Sequence, residues 1–387
     1  MEQFRRFTNH GGLVMNHLRD VGQCQCGMMD DLGRWRFSAP QCREWLADVV
    51  PLLLTPQHRR GLAPSADGTL HCELAISNYS EHIVSVAIKV GIEANDGPPV
   101  VMTTDPITCA RGAMVKTPIE LPLPTVDRPR RVRVTASSNE NISNHWDLWI
   151  FPGVIGPAPA HVVRLTGLAY TAEESPPDEE ERAYSRGFGL PVRSWESILP
   201  DPSAYAPDLR PWHWRDPLPD DTGTILTHRL TNRIVDFLDS GGRIVLLASN
   251  ARGGLGTQYQ WLFGAVPLII EQGPLAEGDS EWIVDLLGYD LTHRYARVIP
   301  VDDLGITEKV DPLIRLAYTH NQRHRVTLFD QLFMTRVGRS LLIVSSLDHR
   351  DPPGRWLLDR MLKFAMSAAA AASSDLDPEL VRTWAIE

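Results

Sequence analysis

The sequence predicts a multidomain chain, α/β at its two ends and all-β between them. Three observations predict it. Residues 1–60 alternate short apolar stretches with loops and then turn amphipathic. From about residue 68 to 151 the apolar period falls to two. From about residue 160 the order becomes strand, helix, glycine turn and continuous apolar strand. The composition is ordinary for globular chains: 387 residues, 43% hydrophobic and 22% charged, a length that suggests two or three domains.

The first segment, 1–60, reads as two short strands at 12–18 and 27–29, the second running into Asp30 and Asp31. A loop at 33–37 follows, and then a helix over 38–50. Ser38 suits its N-cap, Pro40 its first turn, and Gln41 completes a capping box. Cys42, Trp45, Leu46, Val49 and Val50 fall on one helical face. Strand, loop, strand, loop, helix is how a (β/α)8 barrel ends, so this segment is expected to be a partial (β/α) barrel remnant. A complete barrel takes about 250 residues and builds its site from loops of all eight strands. The segment is therefore expected to supply one wall of a pocket, with an upstream catalytic barrel chain or a second subunit protecting it.

The second segment, 61–152, alternates cleanly. Leu70, Cys72, Leu74 and Ile76 form one run, Val84, Val86, Ile88, Val90 and Ile92 another, and Val132, Val134 and Ala136 a third. Turn residues separate the runs, which predicts an immunoglobulin-like β-sandwich. Trp146 and Trp149 lie three apart on the last strand and so face opposite sides. Arg128, Arg130, Arg131 and Arg133 read as an exposed face.

The third segment, 153–387, carries a short strand at 162–165 and an irregular Pro- and acid-rich insertion at about 171–223. A strand at 224–226, a helix over 229–239 with Leu230, Ile234, Phe237 and Leu238 as its stripe, a Gly241-Gly242 cap and an apolar strand at 243–248 make a βαβ unit. A buried strand at 340–347 and a final helix from 354 complete a flavodoxin-like α/β domain, with the alanine run 368–372 extending or fraying that helix.

The formal net charge of −10 provides no field for nucleic acid or an anionic membrane. No apolar run is long enough to span a bilayer, and the N-terminus has no secretory signal core. Five scattered cysteines read as reduced thiols, so a cytoplasmic location is expected. Cys24 and Cys26 are separated by one residue, unlike zinc-binding pairs, and no histidine follows before His58. No metal and no cofactor are expected.

Asp30, Asp31, Arg34 and Trp35 are the primary candidates for substrate binding. They stand where barrel enzymes keep their chemistry, and an indole face with a neighbouring guanidinium can hold a sugar ring. The competing reading is a solvated turn with Trp35 packed inward. Trp212, His213 and Trp214 are secondary candidates, expected in a proline-rich loop. Catalytic residues remain unassigned. No cysteine follows Cys109, which excludes a cysteine nucleophile in the third domain, and the nucleophile-elbow pattern G-x-S-x-G is absent. Ser345, Ser346, Asp348 and His349 sit too close together along one strand to read as a triad. The glycines at 253, 254 and 256 do not fit a dinucleotide fingerprint.

Three stretches together resemble one family. GGLVMNHLRDVGQCQCGMMDDLGRWRFSAPQCREWLADVVPLLL resembles the last strands and helix of the catalytic barrel in family 2-type glycoside hydrolases of β-galactosidase-like type. CELAISNYSEHIVSVAIKVGI through NHWDLWIFP resembles the sandwich that follows it. ILTHRLTNRIVDFLDSGGRIVLLAS and RVGRSLLIVSSLDH resemble the C-terminal amidotransferase-like domain of such proteins. The resemblance implies retaining hydrolysis by two glutamates on earlier barrel strands, neither of which is matched here. It thus implies a C-terminal region that supports and oligomerises a glycosidase, inactive alone, with carbohydrate as ligand. The alternatives are a non-enzymatic carbohydrate-binding or protein-interaction module, and an independent enzyme sited in the α/β domain.

Overall fold

The computed structural model describes residues 5, 18–20, 27–54, 63, 65–66, 68–93, 100–153, 160–167, 206–249, 253–259, 265–287, 291, 297–318 and 326–386. They belong to two compact units, Met1–Gly153 and Val154–Glu387. The chain is mixed α/β and rich in sheet. Among the described residues no helix is long and apolar enough to cross a membrane.

In the first unit, helix α1 (Ala39–Leu46) starts as its capping box predicts. The Ser38 hydroxyl accepts the Gln41 N–H at 3.4 Å, and Gln41 Oε1 accepts the Ser38 N–H at 2.8 Å. The helix then stops short of Val50, and none of its residues is buried. Val49–Leu54 is instead strand β1. Adjacent β-branched valines and Pro51 disfavour a helix there. As a strand, the run places Leu53 in the main apolar core and Val50, Leu52 and Leu54 in a second cluster with Ala75.

Strands β2 (Ser65–Ala66), β3 (Thr69–Asn78), β4 (Val84–Val86), β5 (Lys89–Glu93) and β6 (Val100–Thr103) follow. Then come β7 (Ile107–Cys109), β8 (Met114–Pro122), β9 (Arg130–Ser137) and β10 (Ser143–Pro152). They form sheets ordered β1-β3-β8 and β2-β10-β9-β5-β6, with β4 and β7 as a separate pair. Leu74 and Ile76 from one sheet meet Val90, Val134 and Leu148 from the other in a single core. The alternation along β10 separates its tryptophans as expected. Trp146 packs on that core, while Trp149 is buried on the opposite side of the strand.

The second unit contains β11 (Val162–Thr166), β12 (Arg210–His213), β13 (Thr224–Thr227), α2 (Asn232–Asp239) and β14 (Arg243–Leu247). It continues with β15 (Gln258–Tyr259), β16 (Ala265–Ile269), α3 (Ser280–Leu286), β17 (Arg297–Val298) and β18 (Asp311–Tyr318). It ends with β19 (Thr327–Val337), β20 (Ser340–Ser345), α4 (Pro352–Met366) and α5 (Pro378–Trp384). One eight-stranded sheet runs β12-β11-β13-β14-β20-β19-β18-β16. Its strands from β12 to β20 are parallel, and β19, β18 and β16 add antiparallel neighbours. The β13–α2–β14 crossover matches the βαβ reading. Thr231 caps α2, accepting the Ile234 N–H at 3.3 Å. Gly242 lets the chain turn under Phe237, since a Cβ there would lie 2.3 Å from the ring.

Two expectations change here. Part of the segment read as an irregular insertion is the edge strand β12, while 168–205 lies outside the described residues. The last long helix ends at Met366, and Ser367 is extended, so the alanine run lies beyond it. The chain then packs α5 on α2. Val381 is buried, and Arg382 reaches Asp236 at 3.0 Å and Asp239 at 2.6 Å.

Candidate functional site

The primary candidates form a short, pinned turn. Asp30 and Arg34 close it: the Asp30 N–H donates to the Arg34 carbonyl at 2.9 Å, and the Arg34 N–H donates to Asp30 Oδ1 at 2.7 Å. Gly33 takes a left-handed φ of 80° at the bend. Asp30 is thus half-buried and occupied in holding the turn. Asp31, Arg34 and Trp35 are exposed, Trp35 by 59%. The Trp35 backbone is nevertheless fixed. It bridges to Met29, and the next N–H, of Arg36, donates to the Met28 carbonyl at 2.9 Å.

Beneath the turn lies an anchor that the sequence did not reveal. Asp20 is buried, accepts the Gly27 N–H at 2.8 Å, and pairs with the Arg36 guanidinium. The Asp20 hydrogen bond is the main cause of the raised Arg36 pKa. Gly27 must be glycine, because a Cβ would sit 2.5 Å from the backbone at Arg19 and Asp20. The Arg19 guanidinium also donates to the Asp31 carbonyl. An isolated Asp far from any motif carries no signal of burial, so only the fold exposes this role.

The secondary candidates do not act as a group. Trp212 is core, 3% exposed, and its indole N–H donates to the Asp216 carbonyl at 3.2 Å. His213 is exposed and stacks on Trp214 with ring centres 6.5 Å apart, while the Arg215 guanidinium lies over the Trp214 ring, 4.8 Å from its centre. These rings are largely engaged with one another and with the core.

The α/β unit brings Ser345 and His349 together. Strand β20 ends at Ser345, and the chain folds back so that Ser345 Oγ lies 2.9 Å from His349 Nε2. His349 Nδ1 lies 2.8 Å from the Gly354 carbonyl. A carbonyl only accepts, so Nδ1 carries the hydrogen and the neutral ring accepts at Nε2 from Ser345. That is the tautomer a serine nucleophile needs, but Ser345 and His349 are 1% and 0% exposed. Asp348 turns to Arg350, whose Nε is 2.8 Å from its Oδ1. The group reads as a buried joint between β20 and α4. Among the described residues no three His, Cys, Asp or Glu side chains are placed to share a metal ion; Cys24 and Cys26 lie outside those residues.

Comparison with known proteins adds little. A family model described as a domain of unknown function (DUF8488) matches residues 68–152. No curated protein matches the chain. The chain is partly similar to a Pseudomonas fluorescens alkylpurine DNA glycosylase, AlkC, solved on DNA containing an abasic site analog. The match has 12% identity and TM-score 0.22, covering 27% of this chain and 30% of that one. It is likewise similar to a Listeria innocua β-glucosidase solved with glucose, at 16% identity and TM-score 0.21, covering 26% and 16%. A superoxide reductase from Ignicoccus hospitalis matches at 10% identity and TM-score 0.17, covering 26% and 77%. The chain spans less than a third of the glycosylase and less than a fifth of the β-glucosidase. Scores this low carry neither fold nor activity across.

Proposed function

We propose that this chain is a supporting region of a β-galactosidase-like glycoside hydrolase and that the turn at 30–35 forms one wall of its sugar pocket. The catalytic glutamates come from a separate barrel, and the chain alone does not hydrolyse glycosides. The observation that supports this reading is Trp35. A large apolar ring, 59% exposed, stands on a backbone pinned on both sides, with the exposed polar residues Arg34 and Asp31 in the same turn. Pinning removes much of the ordering cost of binding, and the pairing of an apolar face with hydrogen-bonding groups suits a pyranose.

Titration calorimetry with galactosides and glucuronides tests it. Saturable binding, weakened about tenfold or more in Trp35→Ala, is expected. Chromogenic galactosides and glucuronides should remain uncleaved by the chain alone. Binding that ignores Trp35→Ala, or turnover by the isolated chain, overturns the proposal.

A further inference from the structure

Three outer strands of the three larger sheets, β8, β12 and β16, share a device that strand β6 lacks. Backbone N–H groups along a strand point alternately to its two sides. The Tyr79 N–H donates to the Asp48 carbonyl at 2.7 Å, which turns Pro51 of β1 away from β3, but that side is already covered: the Pro51 carbonyl accepts the Asn144 side-chain amide of β10 at 2.9 Å. On β8, the Asn78 N–H bonds the Ala113 carbonyl at 3.0 Å, so Pro118 and Pro122 face outward. On β12, the Trp214 N–H bonds the Thr166 carbonyl at 3.3 Å, which turns Pro211 outward. On β16, the Ile270 N–H bonds the Leu313 carbonyl at 3.1 Å, which does the same for Pro267. In β8, β12 and β16, proline removes a donor that an added strand would need.

The exceptions among the described residues are the two-residue β2 and strand β6. The Thr104 N–H donates to the Ile88 carbonyl at 3.0 Å, so Val101 and Thr103 turn their N–H and C=O groups to the open side of β6. The strand reads Val-Val-Met-Thr, uncharged, with Val100 and Val101 exposed by 48% and 57%. We infer that β6 is a pairing edge and that its occupant is β6 of a second copy of this chain. The register supports a copy over an unrelated segment. An antiparallel two-fold through Met102 sets Val101 opposite Thr103 in both directions. All four outward groups on each strand then pair, the exposed valines meet uncharged neighbours, and no like charges oppose one another. This inference stands apart from sugar binding at 30–35.

Sedimentation velocity of the full chain over a wide concentration range tests it. A monomer–dimer equilibrium is expected. Val101→Pro copies the device of the other edges and removes no bond to β5, and Thr103→Lys puts charge on the same edge. Each should weaken dimerisation about tenfold or more while thermal unfolding stays close to wild type. If Val101→Pro fails to fold, Thr103→Lys decides. A wild-type chain that stays monomeric throughout, or a dimer that survives both changes, overturns the inference. Sugar titration of the same variants reads the other proposal independently.

Discussion

The imidazole of His349 hangs from the Gly354 carbonyl, 2.8 Å from its Nδ1, and so ties the end of β20 to the first turn of α4. Burial pushes the His349 pKa below its ordinary value, while Gly354 and Asp348 oppose that shift less strongly. Above about pH 6.5 neither folded nor unfolded chain protonates this group. Below it the unfolded chain gains a proton that the folded chain refuses. Stability therefore falls on acidification, by up to about 1.4 kcal/mol per pH unit until the folded pKa is reached. Thermal unfolding of wild type and His349→Gln between pH 7.5 and pH 5.5 checks this. The variant, less stable overall, should lose less on acidification.

Gly354 is constrained by space, not by its dihedral angles. A Cβ there would lie 1.9 Å from the Asp348 carbonyl oxygen and 2.6 Å from the Cα of His349, both backbone atoms that cannot swing aside. Gly354→Ala should cost about 3 kcal/mol by overpacking. Gly338, with φ 61° and open space around it, is the contrast, and Ala there should cost only about 1 kcal/mol of left-handed strain. Urea unfolding of the two variants side by side would show whether contact or conformation governs.

These two glycines mark how far the sequence could be read. Local signals were legible. Ser38 and Gln41 announced the start of α1, and the alternation from Leu70 to Ile92 announced strands. Long-range choices were not. Val49 and Val50 fit the helical face of Trp45 and Leu46, but pairing with Asn78 and Ser77 drew them into β1. Ser345 and His349 looked like neighbours along one strand, and only the fold-back after β20 lets them meet. Of the candidate site, Trp35 is exposed and not packed inward, while the Asp31 side chain is exposed and its carbonyl accepts from Arg19. Asp30 took the turn-holding role, and Trp212 the core. Asp20 was invisible because its partners are a backbone N–H and an arginine distant in sequence.

Asp147 on β10 receives Arg133 at 2.8 Å and Arg131 at 2.7 Å from β9. The hydrogen bond from Arg133, and after it that from Arg131, holds the carboxyl below its ordinary pKa despite partial burial. A lowered folded pKa means stability that is present above about pH 4 and lost as pH falls through the folded value. The arginines are 47% and 48% exposed, so solvent screening limits the effect to about 0.5–1 kcal/mol. Asp147→Asn should destabilise the first unit modestly at pH 7 and not at pH 2.5. Added salt should shrink the difference, as chemical unfolding at low and high ionic strength would reveal.

Pro267 offers a test of edge protection itself. It sits mid-strand on β16, opposite Leu316, and the next residues on either side whose N–H groups face outward are Ala265 and Ile269, two positions away. Leu268, Ile270 and Val284 are exposed by 47%, 37% and 55%, so this unit presents apolar side chains beside its free edge. Replacing proline by valine restores one outward donor and a β-favouring residue, which completes a ladder that a foreign strand could follow. Loss of proline's restriction on the unfolded chain costs about 0.4–1 kcal/mol, so the monomer should remain folded. Pro267→Val should nonetheless associate into larger species at concentrations where wild type does not, read by light scattering. If scattering stays unchanged while the protein remains folded, the missing donor at Pro267 is not what keeps this edge unpaired.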